Sequence, residues 1–163
     1  MKAKYIEPIT NCNQADFLQI LTEIEDFWGS SRTLSYHHPM FVNEFGNTSF
    51  VIKNNGNIIA YLFGFISQTE LTGYVHLIAV RQSYQNRGLG KQLYRHFIEY
   101  LKNLNVHNLK ANTTPTNEKS INFHLNIGMQ MTGVENENEN GIRVIKDYSG
   151  VGHDRIVFKM KLD

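Results

Sequence analysis

The stretch QNRGLGKQL, Gln85–Leu93, combines residue types and a spacing that can bind an anion. It follows the apolar run YVHLIAV at Tyr74–Val80 and opens a segment of helical periodicity. Gly88 and Gly90 leave backbone N–H groups open to close approach, and the N-terminus of a helix carries partial positive charge. The stretch therefore predicts a strand–turn–helix junction that holds phosphate or pyrophosphate. The alternative for two such glycines is a tight turn or close packing of the helix.

Two other phosphate-binding motifs do not fit this stretch. A Walker loop requires GxxxxGK[ST], but Gln92 follows Lys91 and no glycine stands at the upstream position. The dinucleotide fingerprint GxGxxG requires a third glycine where Leu93 stands, and it belongs in a βαβ unit. The segment before the turn instead has the pattern of an antiparallel hairpin, with two β-rich runs around an Asn-Asn-Gly-Asn turn.

Apolar periodicity and turn residues predict the elements that position this turn. In chain order, these are a helix over Asn13–Trp28, a short helix over Met40–Phe45, the hairpin over 50–67, a strand over Tyr74–Val80, a helix over Gly88–Leu104, a strand over Leu109–Thr113 and a helix from Thr116 or Asn117 to Ile127. The tail at 143–162 predicts two strands around a glycine-rich turn. The acidic tract at 135–140 predicts a solvated loop.

The composition restricts the class of protein. A chain of 163 residues predicts a single domain over 1–163. Lys plus Arg number 16 against 15 Asp plus Glu, so nucleic acid and anionic membranes are not expected partners. Cys12 is the only cysteine and the seven histidines lack metal-site spacing, so no metal is expected. The absence of an apolar signal segment or a membrane-length apolar run predicts a cytoplasmic protein.

The pattern Gln85-x-x-Gly88-x-Gly90 after a strand resembles the pyrophosphate-binding motif of the GNAT acetyltransferase family. The order of the predicted elements is also similar to that family, closely over Tyr74–Met129 and in order only on the flanks. The resemblance implies an α/β (α+β) fold with a mixed, mostly antiparallel central sheet, splayed central strands and flanking helices. It also implies that acetyl-CoA lies where Tyr74–Val80 and Leu109–Thr113 splay apart.

The resemblance implies cofactor contacts from the turn, from the strand before it, and from the strand and helix after it. The implied residues are Ile78, Ala79, Val80, Gln85, Asn86, Arg87, Gly88, Leu89, Gly90, Lys91, Asn112, Asn117, Ser120 and Phe123. The side chains of Arg87 and Lys91 either add charge at the phosphates or are ordinary solvated residues.

Three residues are implied in the chemistry by the same resemblance. The backbone N–H of Val80 or a neighbour would stabilise the oxyanion. His76 stands where many GNAT enzymes place a glutamate base, and an imidazole with a pKa near ~6.5 can accept a proton. His124 replaces the tyrosine of the family segment F-Y-x-x-x-G-F, which protonates the thiolate. Packing is the alternative for His76, since strand alternation would place it opposite Val75 and Leu77. Helix packing or contact with adenine is the alternative for His124.

Two loops are implied to form the acceptor site, through His37, His38, Phe41, Asp147 and Tyr148. The alternative for the two histidines is that they cap a short helix before Pro39. Asp147 and Asp154 would attract a cationic amine, whereas Arg155 would attract an acidic group.

The expected function is acetyl-CoA-dependent N-acetylation of a primary amine of a small molecule. The alternatives are a protein N-terminus or lysine as acceptor, and a CoA-binding sensor without turnover. The closing strand Ile156–Lys161 could form a homodimer through its edge.

Overall fold

One mixed sheet runs through the protein. In the computed structural model, which describes residues 6–133 and 140–163, its strands are β1 (Thr10–Asn11), β2 (Ser49–Asn54), β3 (Asn57–Ile66), β4 (Gly73–Val80), β5 (Asn108–Thr113), β6 (Gln130–Met131) and β7 (Ile156–Lys161). The seven strands lie in the order β1-β2-β3-β4-β5-β7-β6. The pair β4–β5 is parallel and the other pairs are antiparallel.

Five α-helices of the described residues flank the sheet: α1 (Gln14–Thr22), α2 (Ile24–Trp28), α3 (Met40–Asn43), α4 (Leu89–Asn103) and α5 (Glu118–Asn126). The segment predicted as one helix over Asn13–Trp28 is therefore two helices, which meet at Glu23. Asn13 begins α1 with a capping box, because its side chain accepts from the Asp16 amide at 2.9 Å and the Asp16 carboxylate accepts from the Asn13 amide at 3.2 Å.

Each face of the sheet carries its own core. Leu93 and Phe97 of α4 pack with Ile121 of α5 and with Phe158 on one face. Phe17 and Ile20 of α1 pack on the other face. The apolar stripe of α4 that the sequence predicts is therefore confirmed, and it is the surface that attaches the helix to the sheet.

The hairpin prediction is confirmed by the antiparallel pair β2–β3, with positive φ values of 50° at Asn55 and 78° at Gly56 in its turn. The prediction for the tail is only partly right. β7 forms, but the preceding segment contributes an isolated bridge between Ile145 and Arg155 rather than a strand.

The edge of the closing strand that the sequence offered for a homodimer is largely covered by another strand. β7 lies between β5 and β6, and β6 pairs with it at Phe158 and Lys159. The short β6, which the sequence did not predict, is therefore the outer strand on that side. Residues 134–139, most of the acidic tract, lie outside the described residues.

Candidate functional site

The turn after β4 leaves the first amides of α4 without partners. Gly88 precedes the helix with φ 75° in the left-handed region, and no side chain caps the helix there. The amide of Gln92 bonds the Gly88 carbonyl at 3.0 Å. The amides of Leu89, Gly90 and Lys91 come before that first helical bond, and within the described residues nothing accepts from them. They are three aligned donors at the positive end of a helix.

The two glycines of this turn have different roles. Gly88 supplies the left-handed conformation, and a Cβ added there would meet no atom within 4 Å. A Cβ on Gly90 would lie 3.2 Å from the Phe123 ring of α5. The packing alternative therefore applies to Gly90, whereas the space in front of Gly88 is open to a ligand.

Side chains of the turn fix its position. Gln85 donates to the Val80 carbonyl at 3.2 Å and accepts from the Lys119 ammonium at 3.2 Å, which ties the end of β4 to α5. Arg87 donates to the Ser83 carbonyl at 3.1 Å, with its guanidinium 4.9 Å from the centroid of the Tyr84 ring. Arg87 is thus held against its own turn.

β4 and β5 separate part-way along their length. Their parallel pairing runs from Gly73 opposite Leu109 to Val75 opposite Ala111. β4 continues to Val80 and β5 to Thr113 with no further pairing between the two strands. The expected splayed gap is therefore present.

The backbone of β4 presents donors to this gap. The amide of Arg81 bonds the Ile59 carbonyl of β3 at 2.8 Å, and Val80 pairs with Ala60. In an antiparallel pair successive residues alternate between bonding the partner and pointing away from it. The amide of Val80 therefore points away from β3, into the gap that β5 leaves.

His76 is the extra residue of a β-bulge in β4. Phe63 pairs with Leu77 while the next residue, Gly64, pairs with Val75. As a result, Val75 packs in the core of the α4 face and Leu77 in the core of the other face. The expectation from simple alternation, that the two share one face, is wrong because the bulge changes the phase of the strand.

The contacts of His76 select one tautomer. Its Nε2 lies 3.1 Å from the Tyr36 carbonyl, which only accepts, so Nε2 carries the proton and Nδ1 keeps a free lone pair. The ring stacks on Phe41 with centroids 4.8 Å apart and planes at 15°. Burial lowers the pKa of this half-buried imidazole below its usual value. His76 is thus a neutral proton acceptor beside the gap.

The environment of His124 differs from that of an acid. Its Nδ1 donates to the Ser120 carbonyl at 2.7 Å, so its Nε2 accepts from the Tyr94 hydroxyl at 2.7 Å. The ring is buried and stacks on Phe158 at 4.7 Å. Burial lowers the pKa of His124. Both ring nitrogens are committed within the core, which supports the packing alternative.

A comparison with known proteins decides the family. The sequence model of the acetyltransferase (GNAT) family matches residues 15–129. The chain therefore belongs to the GNAT acetyltransferase family. No protein of curated function matches the sequence significantly.

Solved structures share this GNAT fold over nearly the whole chain. The ribosomal-protein-S18-alanine N-acetyltransferase from Escherichia coli is 18% identical with a TM-score of 0.69, covering 98% of this chain and 95% of that chain. The IAA acetyltransferase from Bacillus cereus is 19% identical with a TM-score of 0.64, covering 97% and 100%. The structure of yncA from Salmonella typhimurium with its cofactor acetyl-CoA is 18% identical with a TM-score of 0.68, covering 97% and 94%. At these identities the likeness concerns the fold.

The open turn and the splayed strands of this GNAT chain fit acetyl-CoA. Free amides at α4 suit an anionic pyrophosphate, and the unpaired edge of β4 suits an extended chain with amide groups. On α5, Asn117 is occupied as the N-cap, where it accepts from the Ser120 amide at 3.1 Å. The side-chain amide of Asn112, on β5, donates a hydrogen bond to the hydroxyl of Tyr74 on β4.

Tyr74 lies beside the candidate site, and sequence reasoning did not single it out. It lies at the closed end of the gap, and burial raises its pKa to about 12. Since Asn112 donates to the hydroxyl oxygen of Tyr74, the hydroxyl proton of Tyr74 is available to another acceptor. Only the register of β4 against β5 reveals this pair, so no local pattern would have found it.

The first acceptor loop places its two histidines differently. His37 is buried, its Nδ1 donates to the Thr33 carbonyl at 2.8 Å, and its Nε2 accepts from the Tyr61 hydroxyl at 2.7 Å. That leaves no ring nitrogen of His37 for a substrate. His38 is exposed and accepts from the Met40 amide at 3.2 Å, which matches the alternative of a cap. Phe41 meets the site through its stacking on His76.

The second acceptor loop is held by its own carboxylates. Asp147 accepts from the Gly152 amide at 2.6 Å, and Asp154 accepts from the Asp147 amide at 2.9 Å. Tyr148 is exposed at the rim of a groove beside Tyr74.

No cluster of three metal-ligating side chains occurs in the described residues. Within the same residues no helix is long and apolar enough to cross a membrane.

Proposed function

We propose that this protein transfers the acetyl group of acetyl-CoA to a primary amine of a small molecule by direct attack on the thioester. The observation that carries the proposal is that the free amides of α4 follow, along the chain, the edge of β4 that β5 leaves unpaired. The structure of yncA with acetyl-CoA, which shares this fold, supports the same cofactor.

The turn and the gap would bind different parts of acetyl-CoA. The amides of Leu89, Gly90 and Lys91 would hold the pyrophosphate, and the edge of β4 at Ile78 and Val80 would accompany the pantetheine. Bound acetyl-CoA supplies an activated thioester. The ring of Phe123, which packs against Gly90, would border the cofactor on the side of α5.

His76 and Val80 would perform the two roles that the reaction asks of the protein. Nδ1 of His76, neutral and unprotonated, would take the proton that the amine loses. The amide of Val80 would donate to the oxygen on which negative charge develops. His124 would support α5 against the sheet without contributing a proton, since Tyr94 and Ser120 occupy both its nitrogens. When the C–S bond of the thioester breaks, CoA would leave as the thiolate and take its proton from water.

The groove beside Tyr74 is a place where a small acceptor could bind. The groove has a volume of about 260 Å³ and lies between the β3–β4 loop and the second acceptor loop. A cavity of this size holds a compact molecule. The Escherichia coli enzyme with the same fold acts on ribosomal protein S18, so a peptide is the alternative acceptor.

Isothermal titration calorimetry with acetyl-CoA tests the proposal, with adenosine as the control ligand that lacks pyrophosphate and pantetheine. We expect micromolar binding of acetyl-CoA and none of adenosine, followed by release of the free thiol of CoA with small primary amines. Absence of acetyl-CoA binding would reject the cofactor assignment. Binding without thiol release from any amine or peptide would favour the sensor alternative.

A further inference from the structure

The groove beside Tyr74 lies over the paired beginning of β4 and β5 and extends toward the β3–β4 loop. Its walls include the aromatic rings of Phe65, Tyr74 and Tyr148, together with Lys110 and Glu70. The ring centroids of Tyr74 and His76 are 6.4 Å apart. Tyr74 therefore connects the groove to the proposed proton acceptor, and flat groups of a molecule in the groove can pack on aromatic surfaces.

The lining of the groove includes one carboxylate, that of Glu70, and one ammonium, that of Lys110. Lys110 of β5 lies directly opposite Lys159 of β7, and like charges at such positions repel each other. Glu70 offsets one of them, with its carboxylate 3.4 Å from the Lys159 ammonium. No carboxylate pairs with Lys110 in the described part of the chain, and its ammonium lies 5.6 Å from the centroid of the Tyr148 ring.

The acids of the neighbouring loop do not offset this charge. Asp147 and Asp154 each accept from a backbone amide of their own loop. Arg155 donates to the Asp154 carbonyl at 2.8 Å, and among the described residues its guanidinium has no carboxylate partner. The sequence left open whether cations or anions are favoured here, and the positions of these side chains favour an anion.

We propose that the acceptor is a primary amine that also carries a carboxylate, with Lys110 as the residue that selects the carboxylate. The proposal rests on the proposed function and specifies its substrate class. The rings of Tyr74 and His76 have their centroids 6.4 Å apart. An acceptor with a rigid aromatic spacer between amine and carboxylate spans this distance, with the ring against Tyr74 and Tyr148.

A matched pair of small amines tests the proposal. 4-(Aminomethyl)benzoate carries the carboxylate, and 4-(aminomethyl)benzamide replaces it with a neutral group of the same shape. Their dissociation constants are measured by NMR titration of the protein saturated with CoA, for the wild type, Lys110→Gln and Lys110→Arg. Lys102→Gln, which removes an exposed lysine of α4, is the control for net charge.

We expect the wild type and Lys102→Gln to bind the benzoate about tenfold more tightly than the benzamide, as for a hydrogen bond to a charged group. Lys110→Gln should lose this preference and Lys110→Arg should keep it. Equal binding of the two probes to the wild type, no binding of either, or a preference that survives Lys110→Gln would overturn the proposal. Calorimetry with acetyl-CoA on the same samples reports on the proposed function separately, because Lys110 is not among the cofactor contacts.

Discussion

Replacing Gly88 with alanine separates the cofactor role of the turn from its effect on folding. Gly88 has φ +75° and Gly56, in the β2–β3 turn, has φ +78°, and a Cβ at either position meets nothing within 4 Å. Gly56→Ala is therefore a matched control, with the same backbone conformation and the same open surroundings. Only Gly88 lies beside the free amides of α4.

The expected magnitudes follow from these geometries. A non-glycine residue in the left-handed region costs about 1–2 kcal/mol, so each variant should lose about that much free energy of unfolding. For a chain of this size the loss corresponds to a decrease in melting temperature of roughly 2–8 °C. A methyl group at Gly88 should also displace the pyrophosphate from at least one amide. Since a hydrogen bond to a charged group contributes about 1.5–3 kcal/mol, acetyl-CoA affinity should fall at least about tenfold.

The assay combines thermal unfolding with calorimetric titration of acetyl-CoA on the two variants. We expect similar melting temperatures for both and weakened binding for Gly88→Ala alone. Unchanged affinity in Gly88→Ala would refute the assignment of the amides of α4 to the pyrophosphate. Weakened binding in both variants would mean that the loss reflects general destabilisation.

Three further predictions concern buried or half-buried side chains. His76→Ala should lower turnover more at pH 7 than at pH 9, where a larger fraction of the amine is already neutral, and an equal loss at both pH values would exclude the base role. Burial holds the pKa of His124 below that of an unfolded histidine, so the unfolded chain binds the proton first and stability falls as the pH drops below about 6.5. In urea unfolding, His124→Gln should weaken the dependence of the unfolding free energy on pH, whereas His107→Gln, at an exposed position, should preserve it. An unchanged pH dependence in His124→Gln would contradict the reasoning. Tyr61→Phe should lower the free energy of unfolding by about 1–3 kcal/mol, because the indole N–H of Trp28 and Nε2 of His37 both lose their hydrogen-bond partner. A loss below the error of the measurement would show that neither bond stabilises the fold.

The fold was predictable wherever periodicity and turn chemistry are local. The hairpin around Gly56 and the stripe of α4 follow from residues within one segment, and both form as expected. The break at Glu23 and the two-residue β6 were not predictable, because neither has a local signal of its own. β6 forms where the chain after α5 passes beside β7.

The site was less predictable than the fold. The sequence placed His76 at the site, but the bulge that presents it depends on how β3 pairs with β4. His37 and His124 were also plausible as functional residues. Each is buried, with one ring nitrogen bonded to a partner distant in the sequence and the other bonded to a carbonyl four residues earlier. Whether Asp147 and Asp154 or Arg155 dominate the charge of the acceptor site was open until the loop carboxylates were found on their own amides.

The sequence by itself determined the family, the glycine turn and the order of the elements, because each depends on the types and spacing of neighbouring residues. Tertiary structure alone decided which histidine keeps a free nitrogen, where β4 and β5 separate, and which charges of the groove stay unpaired. These properties depend on strand register and on burial, which bring together side chains such as Tyr74 and Asn112 from distant parts of the chain. Local sequence patterns contain no information on such pairs.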